Sequence, residues 1–164
     1  MLILNFDPTP TQCQEIANAC VGTPEKSSFL NAHQPYPVPT AQMLASAIGS
    51  SGLSLSAVAY LEPEGTPIGY IFAGSFFPPH SAQSPHIGFG LNKDVVGHGY
   101  AVQMLFIFFK EFMSRKLGNR LYGHCYAENL AACKTMERAG MIGQKIGVKH
   151  YSQGYEVMEY VINL

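Results

Sequence analysis

The fold is decided by the stretch Val95-Val-Gly-His-Gly-Tyr-Ala101, a loop of small residues that opens directly into a long apolar helix. A second helix, from Asn129 to Ala139, follows after one strand. The first backbone N–H groups of a helix have no partner within the helix, and they lie at the positive end of its dipole. The stretch therefore predicts a site where backbone groups hold a phosphate-bearing ligand.

The rest of the chain alternates between strand and helix patterns. Strands are expected at 2–6, 53–59, 68–77, 86–91, 120–127, 141–149 and 155–161, and helices at 10–20, between Thr40 and Gly49, at 100–116 and at 129–139. Segments 22–39 and 78–85 are expected to be loops. In the helix at 100–116, the core spacing falls on Val102, Leu105, Phe106, Phe109 and Met113.

This order predicts an α+β fold, in which an antiparallel meander precedes a β-α-β crossover. Strands 86–91 and 120–127 are expected to pair in parallel, because the long helix joins them.

The composition is that of a folded protein with few charges. The 164 residues fit one domain, expected to span 1–164. Apolar residues make up 47 % and charged residues 13 %, which argues against disorder. So few charges indicate one of two arrangements. Either a partner, such as a second copy of the chain, covers part of the surface, or the protein is a monomer whose surface is rich in Ser, Thr and Gln. The net charge of −1 and the lack of a basic stripe argue against nucleic acid as a ligand.

Neither a membrane nor a metal site is expected. The apolar run Tyr100 to Phe109 is far shorter than the ~20 residues that cross a bilayer, and no signal peptide is apparent. The four cysteines form no CxxC pair, so a reduced, cytoplasmic protein is expected. His33, His80 and His150 lack the spacing of metal ligands.

Four pieces of the chain resemble, in order, segments of the GNAT-family N-acetyltransferases. They are Pro35-Tyr-Pro37, Pro67-Ile-Gly-Tyr-Ile71, Ile87-Gly-Phe-Gly-Leu91 with Val96-Gly-His-Gly-Tyr-Ala101, and Asn129-Leu-Ala-Ala-Cys-Lys-Thr-Met-Glu-Arg-Ala-Gly-Met141. More narrowly, the set is similar to the branch that contains the ribosomal-protein alanine N-acetyltransferases. The resemblance covers nearly the whole chain, and it implies the GNAT-like acyl-CoA N-acyltransferase fold, a mixed and mostly antiparallel sheet with helices on both faces and a β-α-β cofactor crossover.

The resemblance implies acetyl-CoA as cosubstrate. By analogy with the family, the pantetheine arm would follow Phe89, Gly90 and Leu91. The pyrophosphate would lie on the loop formed by Val96, Gly97, His98, Gly99, Tyr100 and Ala101. Asn129 would reach the pantetheine or the phosphates, and glycines 88 and 90 would make room for the arm.

Three positions depart from the family pattern. Val96 stands where the family often has Arg or Gln, so one charged contact to the phosphates is missing. Met136 and Ala132 stand where family members carry a Tyr or a Ser as general acid. The usual proton donor is therefore absent from both places.

Direct attack of an amine on a thioester needs a group that takes the amine proton. His86 is the candidate base, because it precedes Ile-Gly-Phe where family members often carry Glu and shares a strand face with Gly88 and Gly90. The alternative is a solvated histidine at a strand edge. Tyr126 is the candidate acid. It shares a face with Tyr122 and His124, and this row either lines the acceptor pocket or packs in the core.

The sequence thus favours a cytoplasmic, acetyl-CoA-dependent N-acetyltransferase. The acceptor would be a primary amine, either a protein N-terminus or a small molecule. The alternative is a non-catalytic protein on the same fold that binds acyl-CoA, which the residues at Val96, Ala132 and Met136 favour.

Overall fold

The computed structural model describes residues 1–26, 39–75, 85–149 and 152–164. In chain order the elements are β1 (Leu2–Asn5), α1 (Pro10–Val21), α2 (Ala41–Ile48), β2 (Leu55–Leu61), β3 (Thr66–Gly74), β4 (His86–Leu91), a 3-10 turn (Lys93–Val95), α3 (Tyr100–Ser114), β5 (Arg120–Tyr126), α4 (Leu130–Arg138), β6 (Ile142–Val148) and β7 (Glu156–Asn163). No helix in these ranges is both long and apolar enough to span a bilayer.

The strands form one mixed sheet in the order β1-β2-β3-β4-β5-β7-β6. Every neighbouring pair is antiparallel except β4 and β5, which run parallel and are connected through α3. The predicted α+β architecture and its parallel pair are confirmed. The parallel pairing is short, however, because it joins only His86 to Tyr122 and Ile87 to Gly123.

Helices cover both faces of the sheet, as expected. On one face α1 and α2 pack over alternate residues of β2 and β3, including Val58, Tyr60 and Tyr70. On the other face α3 and α4 pack over the intervening residues, and this larger core includes Ile71, Ile87, Leu105, Phe108, Phe112, Leu121, Met136 and Tyr160. The period-two pattern of the strands therefore separates two cores.

The buried face of α3 differs from the prediction. Leu105 and Phe109 are buried as expected, together with Met104, Phe108 and Phe112. Phe106 and Met113 are 47 % and 44 % exposed, so their assignment to the core is wrong. The helix is apolar on nearly all sides, and spacing alone could not identify the face that meets the sheet.

Some predictions fall outside the described residues. They concern Pro35-Tyr-Pro37, most of the expected loops 22–39 and 78–85, the last residues of the strand expected at 68–77, and the histidines at 33, 80 and 150. Within the described ranges that strand ends at Gly74.

Candidate functional site

The site lies where β4 and β5 separate. Beyond the pair of Ile87 and Gly123 the two strands no longer bond to each other, and a cavity of about 340 Å³ opens between them. Its walls are β4 from Ile87 to Leu91, the loop and first turn of α3, β5 from Gly123 to Cys125, and one side of α4. We call this region the fork.

The start of α3 presents free backbone donors to the fork. Thr9, Thr40 and Asn129 cap helices α1, α2 and α4 with a side-chain oxygen, whereas α3 begins at Gly99 without a side-chain cap. Gly97 and Gly99 have φ values of 88° and 79°, which side chains rarely tolerate. An uncapped helix start beside a cavity can receive an anion on its N–H groups.

Most residues predicted to bind the cofactor line this cavity together. They are Phe89, Gly90, Leu91, Val96, Gly97, Gly99, Tyr100, Ala101 and Asn129. His98 is not among the lining residues. Its Nδ1 lies 3.1 Å from the carbonyl oxygen of Val96, and its ring stacks on that of Tyr100 at 5.9 Å.

Asn129 has a structural task at the edge of the fork. Its Oδ1 accepts a hydrogen bond of 3.1 Å from the backbone N–H of Ala132 and so caps α4. The residue is 9 % exposed and also lines the cavity. The backbone N–H of Asn129 in turn donates to the carbonyl oxygen of Tyr126 at 3.0 Å, which ties the start of α4 to the end of β5.

Two cations at the cavity were missed by the sequence analysis. Lys134 and Arg138 both line it, and they stand four residues apart on the exposed side of α4. Four-residue spacing places two side chains on the same face of a helix, and that was the signal available in the sequence. Their positive charges can bind an anionic ligand and so replace the charged contact that Val96 cannot make.

The three departures from the family pattern all lie at the cavity. Val96, Ala132 and Met136 are lining residues, and Met136 is fully buried. A Cβ added to Gly123 would lie 2.9 Å from the sulfur of Met136, so this side chain packs on the floor of the fork. None of the three can donate a proton to a leaving group.

Glycines 88 and 90 lie against aromatic side chains of the neighbouring strand β3. A Cβ at Gly88 would come within 2.6 Å of the ring of Phe72, and one at Gly90 within 2.8 Å of the ring of Tyr70. The space beside these glycines is thus filled by aromatic side chains of β3. Both glycines also line the cavity, and the expectation that they make room for a cofactor arm stays a prediction.

A row of polar side chains crosses four strands at the fork. His86 on β4 contacts His124 on β5 edge to face, with ring centroids 4.6 Å apart. His124 Nε2 lies 3.0 Å from Glu159 Oε2, and the amide of Gln144 donates to Glu159 Oε1 at 3.1 Å. His86 is only 1 % exposed, so its interpretation as a solvated strand-edge histidine is wrong.

Tyr126 lies at the end of β5, outside the cavity lining. Its ring contacts that of Tyr155 at 4.8 Å. Burial, and to a smaller degree Tyr155, raise the pKa of Tyr126 above its ordinary value, so its hydroxyl keeps its proton at neutral pH.

The two cysteines of this region belong to the core. Cys125 Sγ and Cys133 Sγ lie 3.6 Å apart, and both residues are buried under α4. Burial, with Cys133 nearby, raises the pKa of the Cys125 thiol, which therefore remains a weak nucleophile. In the described part of the chain, no three His, Cys, Asp or Glu side chains are grouped so that they could hold a metal ion.

Comparison with known proteins was made by family model, by sequence and by structure. A family model described as an acetyltransferase (GNAT) domain matches residues 7–142. No curated protein matches the chain by sequence.

Solved structures share the fold at low sequence identity. RimL, a ribosomal L7/L12 alpha-N-protein acetyltransferase in complex with coenzyme A, has a TM-score of 0.78 and 14 % identity, covering 99 % of this chain and 94 % of that one. The aminoglycoside acetyltransferase AAC(6')-Ib in complex with coenzyme A has a TM-score of 0.73 and 15 % identity, covering 99 % and 95 %. The microcin C7 self-immunity acetyltransferase MccE in complex with acetyl-CoA and AMP has a TM-score of 0.76 and 13 % identity, covering 99 % and 92 %.

Proposed function

The chain belongs to the GNAT family of acetyltransferases, and on that premise we propose that it transfers the acetyl group of acetyl-CoA to a primary amine. The observation that carries the proposal is the uncapped start of α3 at the mouth of the fork. The backbone N–H donors at the start of α3 lie beside the cavity, next to the edge of β4 that no longer pairs with β5. A thioester arm linked to a pyrophosphate matches these three features.

The residues of the fork would divide the cosubstrate between them. The N–H groups from Gly97 to Ala101 would hold the pyrophosphate, and Lys134 and Arg138 would add charge. The edge of β4 at Phe89, Gly90 and Leu91 would pair with the amides of the pantetheine arm. Because β4 runs from the closed end of the fork to the loop before α3, an arm that follows it would place the thioester near Gly88.

The acetyl transfer would be direct. The amine must lose a proton as it attacks, and backbone N–H groups of the strand edge can stabilise the charge on the carbonyl oxygen. A thiol leaves with a reference pKa of about 8.5, so the reaction can proceed without the acid absent at Ala132 and Met136. The roles of His86 as base and Tyr126 as acid stay predictions.

The acceptor class rests on chemistry shared by the relatives. RimL is named for acetylation of a protein N-terminus and AAC(6')-Ib for acetylation of aminoglycosides, and both acceptors are amines. We therefore propose an amine on a peptide N-terminus or on a small molecule. A single domain over 1–164, a second copy of the chain as partner and a cytoplasmic location also stay predictions.

Release of free thiol from acetyl-CoA tests this function. The purified protein is incubated with acetyl-CoA and a panel of short peptides with free N-termini, aminoglycosides and small primary amines. We expect thiol release with at least one acceptor, together with a mass increase of one acetyl group on that acceptor. If the protein binds acetyl-CoA but releases no thiol from it with any acceptor of the panel, the non-catalytic alternative is favoured.

A further inference from the structure

We propose that Lys134 and Arg138 bind the 3′-phosphate at the adenosine end of acetyl-CoA, and so select this cosubstrate over thioesters that lack the group. The inference rests on the proposed function and assigns the two cations to one particular phosphate. Acetyl-CoA carries a pyrophosphate in its middle and a phosphate monoester on its ribose. A site for that outer end should therefore be positively charged and lie apart from the pyrophosphate loop.

The two side chains are the cations of a cavity that lacks acidic groups. Among the described residues, no Asp or Glu lines the cavity, and Lys134 and Arg138 are its only Lys or Arg residues. Several other cations pair with carboxylates, namely Lys93 with Glu25, Arg115 with Glu111 and Lys145 with Glu156. Within the ranges that the structure covers, neither Lys134 nor Arg138 forms such a pair, and both are exposed. Their charge is therefore available to a ligand.

The cations lie on one flank of α4. Ala131, Lys134, Thr135 and Arg138 all line the cavity, and spacings of three and four residues place them on one side of the helix. Met136 points inward instead and is fully buried. The hydroxyl of Thr135 donates to the carbonyl oxygen of Ala131 at 2.8 Å, so the flank beside the cations presents only small side chains. A ribose can lie there between the two charges.

This flank extends away from the loop that would receive the pyrophosphate. Because β4 and β5 are parallel, α3 and α4 both begin at the open end of the fork. From there α4 runs back toward the closed end, where Met136 packs over Gly123. At 1.5 Å per residue, Lys134 and Arg138 lie about 7.5 and 13.5 Å along α4 from its N-cap, Asn129. The cations are thus placed for a second phosphate group, farther along α4 than one held at the start of α3.

A phosphate monoester is the group best matched to two cations. It carries a charge of about −1.5 to −2 at pH 7 and three acceptor oxygens, whereas each phosphate of a pyrophosphate diester carries a single negative charge. The guanidinium of Arg138 can donate two parallel hydrogen bonds to it, and Lys134 adds a point charge. The lining residues of β4, from Ile87 to Leu91, carry no charge and suit the neutral amide arm. The cavity therefore has a neutral branch along β4 and a cationic branch along α4.

Calorimetric titrations with two ligands test the assignment. Acetyl-CoA and acetyl-3′-dephospho-CoA, which lacks only the monoester, are each titrated into the wild type and into the double variant Lys134→Ala, Arg138→Ala. Lys110→Ala is the matched control, because it removes an exposed cation of α3 outside the cavity lining. The melting temperature of each variant without ligand shows whether it is folded.

We expect the wild type to bind acetyl-3′-dephospho-CoA about tenfold or more weakly than acetyl-CoA, because the charge-assisted hydrogen bonds to the monoester are lost. The double variant should bind the two ligands within about threefold of each other, since the partners of the monoester are gone. Lys110→Ala should keep the wild-type preference for acetyl-CoA.

Three results would overturn the assignment, and they separate it from the proposed function. If the double variant binds both ligands more weakly but keeps the wild-type preference, the cations act on the pyrophosphate. If the wild type binds both ligands equally, the monoester is not recognised. In both cases the assignment to the 3′-phosphate is wrong and the proposed function stands. If the wild type binds neither ligand at millimolar concentration, the proposed function fails and the assignment fails with it.

Discussion

Gly99 holds the loop before α3 in a conformation that other residues rarely adopt. Its φ is 79° and no atom lies within 4 Å of the place of a Cβ, so Gly99→Ala would meet conformational strain and no clash. Left-handed backbone costs a residue with a side chain about 1–2 kcal/mol. Because relief of that strain moves the N–H groups of the loop, we expect the Kd for acetyl-CoA to rise by about tenfold.

Gly65 offers the matched control for this change. It has a φ of 64°, open space around its Cβ position, and a place in the turn between β2 and β3, away from the cavity lining. Gly65→Ala should lower the melting temperature about as much as Gly99→Ala and leave the Kd unchanged, as calorimetry can measure. Equal Kd values for the two variants would show that the loop does not bind the cosubstrate.

Lys134 and Arg138 should contribute charge to cosubstrate binding. Each charge-assisted hydrogen bond to a phosphate is worth about 1.5–3 kcal/mol, so the double variant Lys134→Ala, Arg138→Ala should bind acetyl-CoA at least about tenfold more weakly. The loss should diminish at high salt. Lys110→Ala removes an exposed cation of α3 outside the cavity and should bind normally. Equal binding by all variants would contradict this role.

The residues of the site were predictable to the extent that they are close in sequence. The loop from Val96 to Ala101 and the strand edge from Phe89 to Leu91 form continuous motifs, and the structure brings them to one cavity. The contact of His124 with Glu159 joins residues 35 apart through strand register. Neither residue carries a local signal of the other, so only the folded sheet reveals the pair.

At the scale of elements, most boundaries follow from local chemistry. Thr40 accepts from the N–H of Met43 and Gly49 ends the helix, which is why α2 was correctly placed between them. Thr9 and Gly22 mark the ends of α1 and Asn129 the start of α4 in the same way, whereas α3 ends at Ser114 with Arg115 as its C-cap. The face of α3 was not predictable, because that choice depends on which side meets β1, β2 and β3.

The burial of Cys20 in α1 should make the protein less stable at alkaline pH. Burial raises the pKa of Cys20 from 9.0 to about 12, with a smaller opposing effect from Lys26. Below pH 9 both the folded and the unfolded chain keep this proton. Between pH 9 and 12 only the unfolded chain loses it, so the free energy of unfolding should fall by about 1.4 kcal/mol per pH unit from this group.

Urea unfolding of Cys20→Ala between pH 8 and about 10.5 measures this contribution. The stability advantage of the wild type over Cys20→Ala should shrink as the pH rises above 9. Ile16→Val alters a buried, non-titrating residue of the same helix, and its difference from the wild type should stay constant. If the difference in free energy of unfolding between the wild type and Cys20→Ala also stayed constant with pH, the raised pKa of Cys20 would be contradicted.

At the scale of the whole molecule, the site is a consequence of topology. The crossover through α3 places β4 and β5 side by side, and their pairing ends after two residues. The sequence predicted the parallel pair but not how short it is, because the separation depends on the packing of Met136 on Gly123 and of β7 along β5. The fork is therefore a property of the folded sheet.

A calorimetric titration of the wild-type protein with acetyl-CoA tests the central claim most directly. We expect saturable binding to one site per chain, weakened in Gly99→Ala and unchanged in Gly65→Ala. Bound ligand should also raise the melting temperature, because a ligand at about 100 times its Kd stabilises the folded state by about 2.7 kcal/mol. Absence of binding at millimolar acetyl-CoA would contradict the claim that the fork is a cosubstrate site.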